Sequence, residues 1–245
     1  MRPLLRAVLA LLLLAVPQMV MATPPNVIVA ADYAEPTTRY PHGVLGDDIE
    51  WGALRLTVDM CVDCESRDVR DFVIRLPEHR VFEDTAPRLV DLDGDGSPYV
   101  VVVESDARLG ARLAIYNEAG FVAGTPFIGT RNRWLAPVGA ADLDGDGVME
   151  LAYVDRPHLA KTLRVWRWRG GTLDPVAEMG GLSNHRIGER DIAGGIRTCA
   201  NVPEMIVATA DWSRLMAVTL QDNRLRARDI GAHEGRKSFA AALGC

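Results

Sequence analysis

Short apolar runs separated by turn residues recur along this chain with a long period. Residues 99–103 and 151–154 are almost unbroken runs of valine, leucine, alanine and tyrosine, a composition that favours strands. Each is followed by a second strand-like segment, 112–116 and 162–166, about 50 residues apart. The same pairing recurs downstream at 204–208 and 214–218, and upstream at 51–58 and 72–74. Four units therefore begin near residues 42, 88, 139 and 188, flanked by strand candidates at 27–30 and 225–230. After the N-terminal 22 residues, no segment shows a convincing amphipathic helical period.

Units of about 50 residues, each with several short strands, predict an all-β chain. They suit a β-propeller of about four to five blades, in which each unit is one small sheet packed on its neighbours. The N- and C-terminal strands are then expected to complete one blade together. A parallel β-helix has shorter coils and would repeat more often than this.

Within two of the units the repeat is literal. Asp91-Leu92-Asp93-Gly94-Asp95-Gly96 returns unchanged as Asp142-Leu143-Asp144-Gly145-Asp146-Gly147, 51 residues later. Carboxylates on alternate residues of a tight loop, with glycine where the chain turns back, are how oxygen ligands wrap a hard cation, and calcium is the natural occupant. An EF-hand needs a glutamate at the twelfth position, where this chain has Val102 and Tyr153 inside apparent strands. A third copy near Asp191 has lost its middle acids, keeps only Asp191 and Glu204, and is expected to bind no metal.

These loops resemble the FG-GAP or VCBS repeats, the calcium-loop propeller blades also found in integrin α-subunits. The resemblance covers roughly residues 40–220 as architecture and is specific over the two intact loops. It implies that Asp142, Asp144 and Asp146 supply side-chain oxygens, Val148 a backbone carbonyl and Glu150 the closing carboxylate. In the earlier copy it implies the same roles for Asp91, Asp93 and Asp95, with Ser97 at the carbonyl position. There Tyr99 stands in place of the acid, which should weaken the site. One or two structural calcium ions are thus expected, and the loops are read as staples that hold blade turns.

Composition narrows the class further. With 48% hydrophobic and 24% charged residues, neither wholesale disorder nor a multi-span membrane protein is sensible. Arg2 and Arg6, the apolar run 7–16 and the small residues before position 23 read as a signal peptide over residues 1–22. The remaining 23–245 form a single domain with no membrane span, expected in the periplasm or outside the cell. The formal charge of −6 argues against nucleic acid as a partner, because phosphate neutralisation needs a basic surface.

Four cysteines in an exported chain allow three pairings. Cys61 with Cys64, closing a small loop, and Cys199 with Cys245, tying back the last residue, is the favoured one. The segments before each unit set Arg80, Arg133, Arg186 and Arg236 at spacings of 53, 53 and 50 residues, with Trp134, His79, His185 and His233 beside them. Residues in one phase of successive blades share a face, so a partial basic ring for an anionic protein or glycan is expected. The bland counterpart is that each arginine pairs with an acid such as Glu83, Asp84, Glu189 or Asp191 and pins the fold. No nucleophile elbow, zinc pair or phosphate-cradling loop is present. The leading expectation is a calcium-stabilised, non-enzymatic binding module. The alternatives are a saccharide hydrolase or lyase with His185 or His233 as base, and a structural envelope component.

Overall fold

The computed structural model describes residues 26–62 and 64–245, so the expected signal segment lies outside the described residues. The first unit is an antiparallel meander of β1 (Val27–Thr37), β2 (Glu50–Asp59) and β3 (Val69–Arg75). The second has a broken first strand, β4 (Arg80–Phe82) and β5 (Arg88–Val90), both pairing with β6 (Tyr99–Asp106). β7 (Gly110–Asn117) and β8 (Gly120–Gly124) complete it. A single bridge, Trp51 to Phe82, joins the first two units into one sheet.

The third unit is a clean four-stranded meander of β9 (Leu135–Ala141), β10 (Glu150–Asp155), β11 (Thr162–Trp168) and β12 (Leu173–Gly180). The fourth again breaks its first strand, into β13 (Leu182–Ser183) and β14 (Gly195–Cys199), both along β15 (Val202–Thr209). β16 (Arg214–Gln221) and β17 (Arg224–Ala232) follow, and α1 (Arg236–Leu243) closes the chain.

The apolar runs are continuous because both faces of each middle strand are buried. In β6, Val101 and Val103 face the core shared with Leu135, Leu151 and Tyr153, whereas Val100 and Val102 face Leu54, Leu56 and Phe82. In β10, Leu151 and Tyr153 look back to the second unit while Ala152 and Val154 pack on Met205, Val207 and Val218. Side chains that alternate between two neighbouring sheets are what face-to-face packing of blades requires. The fold is thus all-β and propeller-type, with one core between each pair of successive units.

Two features depart from the sequence expectation. β1 pairs with β2 from Val27–Asp59 to Thr37–Glu50, and β17 pairs with β16 in another sheet, so the termini do not complete one blade together. The outward face of the fourth unit is covered instead by α1, whose Phe239 packs on Ile206, Ala208, Leu215 and Ala217. First and fourth units meet through loops: Gly188 N–H donates to Val44 O at 3.0 Å, and Arg190 lies 3.9 Å from Asp47.

Both cystine bridges are present, Cys61–Cys64 and Cys199–Cys245. The second fastens the chain's last residue to β14 beside α1. Among the described residues no helix is long and apolar enough to cross a membrane.

Candidate metal centre and arginine face

The loop between β9 and β10 is organised by its own acids. Asp142 accepts Gly145 N–H at 2.8 Å and Gly147 N–H at 3.0 Å, and Asp146 accepts Val148 N–H at 2.8 Å. Gly145 and Gly147 have φ of 79° and 85°, the left-handed region where a side chain is strained. The loop can therefore curl round its carboxylates only with glycine there. The donor atoms of Asp142, Asp144 and Asp146 lie within 4.8 Å of one another.

Glu150, the first residue of β10, is buried beneath them and accepts Leu143 N–H at 2.8 Å. Burial pushes its carboxyl above the usual range, opposed by Arg167 and the Leu143 N–H. Arg167 reaches in from β11, with Nε 2.5 Å from Glu150 Oε1 and Nη1 3.7 Å from Asp146, and its Nη2 bonds Asp144. Four carboxylates against one guanidinium leave a net negative, all-oxygen donor set. That set fits a hard divalent cation.

The loop between β5 and β6 has the same backbone turn and different chemistry. Asp91 accepts from the N–H groups of Gly94, Asp95 and Gly96, and Asp95 accepts from Ser97 N–H at 2.8 Å. Both oxygens of Asp93 are taken by neutral donors, Tyr99 OH at 2.8 Å and Trp168 Nε1 at 2.5 Å. Ser97 Oγ donates to Asn26 O. Among the described residues, the Asp142, Asp144 and Asp146 cluster is the one group of three acids, histidines or cysteines gathered this closely. Asp91, Asp93 and Asp95 are not. In the fourth unit Glu204 is held by Arg197 and Arg228 at 2.6 Å.

Residues 91–153, which run through both loops and into β10, match the sequence model of the FG-GAP-like repeat family. This chain carries an FG-GAP-like repeat. No curated protein matches the chain. Among solved structures it is similar to the crystal structure of rhamnogalacturonan lyase YesW, at 13% identity and a TM-score of 0.40. That match covers 77% of this chain and 44% of the lyase, so the chain spans less than half the length of that protein. The FG-GAP-like repeat thus rests on the loops and on the strands they feed.

The arginines at the blade period meet different fates. Arg80 pairs with Glu104 at 3.1 Å and Asp106 at 3.4 Å, and lies over Phe127. Arg236 pairs with Asp191 and lies 3.6 Å from Glu189. Arg133 donates to Asn132 O, and Arg186 stacks 4.3 Å over Trp212; among the described residues no carboxylate pairs with either.

Trp134 and His185 are placed differently from the sequence expectation. Trp134 is 2% exposed and donates Nε1–H to Glu83 O at 2.8 Å. His185 is 0% exposed, packs on Trp134, and has its ring nitrogens at His158 Nε2 (3.0 Å) and Glu189 O (2.9 Å). Burial, followed by His185 and His42, lowers the His158 pKa to about 4. The connectors that look polar in sequence thus run inward and carry internal hydrogen bonds, and neither ring offers a face to a ligand.

What gathers round Arg133 was not legible beforehand. His42, Asn132, Arg156 and His158 share with it a cavity of about 30 Å3, and His42 Nδ1 is 2.5 Å from buried Glu83. Asn132 and Arg156 both have positive φ, 53° and 44°. Arg167 and Trp168 are the other residues that sequence reasoning missed. The signal for Arg167 is its register, directly opposite Glu150.

Proposed function

We propose that this chain is an exported, calcium-stabilised propeller module that binds an anionic protein or glycan without catalysing a reaction on it. Arg133 and Arg186 carry the ligand contact. The observation that supports this best is the contrast within the arginine set: two members are neutralised by carboxylates, and these two are not. Guanidinium groups in that state suit carboxylate ligands. The calcium reading rests on the converging oxygens of Asp142, Asp144 and Asp146, with Glu150 beneath. Two cystines support an oxidising compartment.

The reading as a saccharide hydrolase or lyase loses its base at His185, since both ring nitrogens are engaged inside the fold, and His233 is packed against Trp212 and Phe239. The test is binding of immobilised polygalacturonate and polyglutamate, with neutral dextran as control, by wild type and by Arg133→Ala with Arg186→Ala. The double variant should lose at least tenfold in affinity while its Tm stays within about 2 °C. A fall in Tm with unchanged binding would show that the two arginines only support the fold.

A further inference from the structure

We infer that Arg167 is the resident cation of the loop from Asp142 to Glu150, and that calcium binds there in competition with it. The inference rests on the calcium reading above and adds what sets the strength of that site. Arg167 enters from β11 at the position paired with Glu150, and its side chain is 9% exposed. Its guanidinium meets Asp144, Asp146 and Glu150, three of the four side chains that the family resemblance assigns to the metal. The fourth, Asp142, is held by the N–H groups of Gly145 and Gly147.

Every carboxylate of the loop thus has a protein donor. The protein itself supplies the loop's turn and one positive charge among its acids. A calcium ion held by Asp144, Asp146 and Glu150 would share those acids with the Arg167 guanidinium, and like-charge repulsion at that range disfavours the two together. The Arg167 side chain is the group that can move without unmaking the loop, whose Leu143 N–H is fixed to Glu150. Calcium affinity is therefore reduced by the free energy of breaking the guanidinium contacts.

The displacement reaches a neighbouring unit. Arg167 Nη1 donates to Asn223 Oδ1 at 3.3 Å, in the turn between β16 and β17. Asp222 and Asn223 both hold positive φ there, 51° and 55°. Removing the guanidinium from the loop also removes that tie between the third and fourth units.

The experiment is calcium chloride titration by calorimetry of chelator-treated wild type, Arg167→Met, Arg167→Lys and Asn223→Ala. Melting curves with and without chelator accompany each titration. Arg167→Met should bind calcium about tenfold tighter or more, given charge-assisted contacts of this kind. It should melt lower than wild type in chelator and recover with calcium. Asn223→Ala leaves every loop acid untouched and should tighten binding by about threefold, because it loosens only the outer anchor of the guanidinium. If Arg167→Met does not fold in chelator, Asn223→Ala and Arg167→Lys decide, and each should be tighter than wild type. Wild type that binds calcium with affinity equal to or above that of the variants overturns the competition and leaves the calcium reading standing. No uptake by any of the four proteins overturns both.

Discussion

Glu50 opens β2 at the place that Glu150 holds in β10, yet among the described residues it has no cationic partner. It is 1% exposed, and its Oε2 has no hydrogen-bond partner among the described residues. The acids round it are already satisfied: Glu83 by His42 and Ser105, Asp84 by Arg88 and Tyr33. Burial first, and then the charges of Glu83, Asp47 and Asp84, raise the Glu50 pKa to about 9. The folded protein therefore carries a proton on Glu50 at neutral pH, and the unfolded chain does not. The folded state binds the extra proton, so this group's contribution to stability is complete below pH 4.5 and is lost as pH rises toward 9. The slope is about 1.4 kcal/mol per pH unit, or roughly 3 kcal/mol by pH 7.

Glu50→Gln keeps the shape of the neutral acid and removes the titration. It should leave stability at pH 4.5 nearly unchanged and raise it by about 3 kcal/mol at pH 7, with a larger gain at pH 8. The assay is urea denaturation followed by tryptophan fluorescence, with Trp51 adjacent, at half-unit steps from pH 4.5 to 8.5. Parallel stability curves for wild type and variant would refute the reasoning, because they would mean that Glu50 ionises in the folded state without cost.

Other outcomes can be stated as directly. Calorimetry of the wild type should find one calcium ion; Asp146→Asn should abolish it, whereas Asp95→Asn should not, because the acids of the first loop do not converge and Asp93 is turned to Tyr99 and Trp168. Cys245→Ser opens the bridge to Cys199 across 46 residues and should cost about 4 kcal/mol in the chain-entropy picture, read as a lower urea midpoint, with any further effect of reductant coming from the Cys61–Cys64 bridge alone. Gly110 has φ of 74°, and a Cβ there would collide with the backbone oxygens of Thr130 and Arg133. Gly110→Ala should therefore cost about 2–4 kcal/mol and weaken anion binding by moving the Arg133 connector. The His158 ring should stay neutral on acidification until pH about 4, seen as the NMR titration of its C2 proton. Its contribution is full above pH 6.5 and is lost as pH falls from there toward 4. A midpoint near 6.5 would place the ring in water.

The strands and the Asp loops were readable because each obeys a local rule. Four valines in a row at 100–103 cannot be a half-exposed strand, and they are not: alternate members enter two different cores. The broken strands β4/β5 and β13/β14 gave no such signal, since each half is only two to five residues and takes its place from pairing with β6 or β15. α1 was silent as well. It has one buried anchor, Phe239, and Gly235 provides no side-chain cap, so its helical period carries almost no apolar contrast. The hairpin acids Asp59, Asp106 and Asp155 were a repeat passed over. They recur at spacings of 47 and 49 residues, are all buried, and all close the turn or brace the strand that follows. A search that weighs only large motifs discounts single acids at a loose period.

The harder omission was Arg167 and Trp168, and strand geometry explains it. Successive side chains of a strand point to opposite faces, so the last two residues of β11 serve two different units. Arg167 turns to the loop of its own blade, while Trp168 crosses to Asp93 in the preceding one. The two Asp loops are identical over six residues but are completed by a cation in one case and by neutral hydrogen-bond donors in the other. A motif read along the chain shows the six shared residues and, beyond them, Tyr99 in place of Glu150, and so predicts a weaker first site. What the motif does not show is contributed across the sheet, by residues 23 and 75 positions away from the acids they meet. On the calcium reading proposed above, the capacity of each loop for a metal depends on the end of one strand as well as on the loop's own residues.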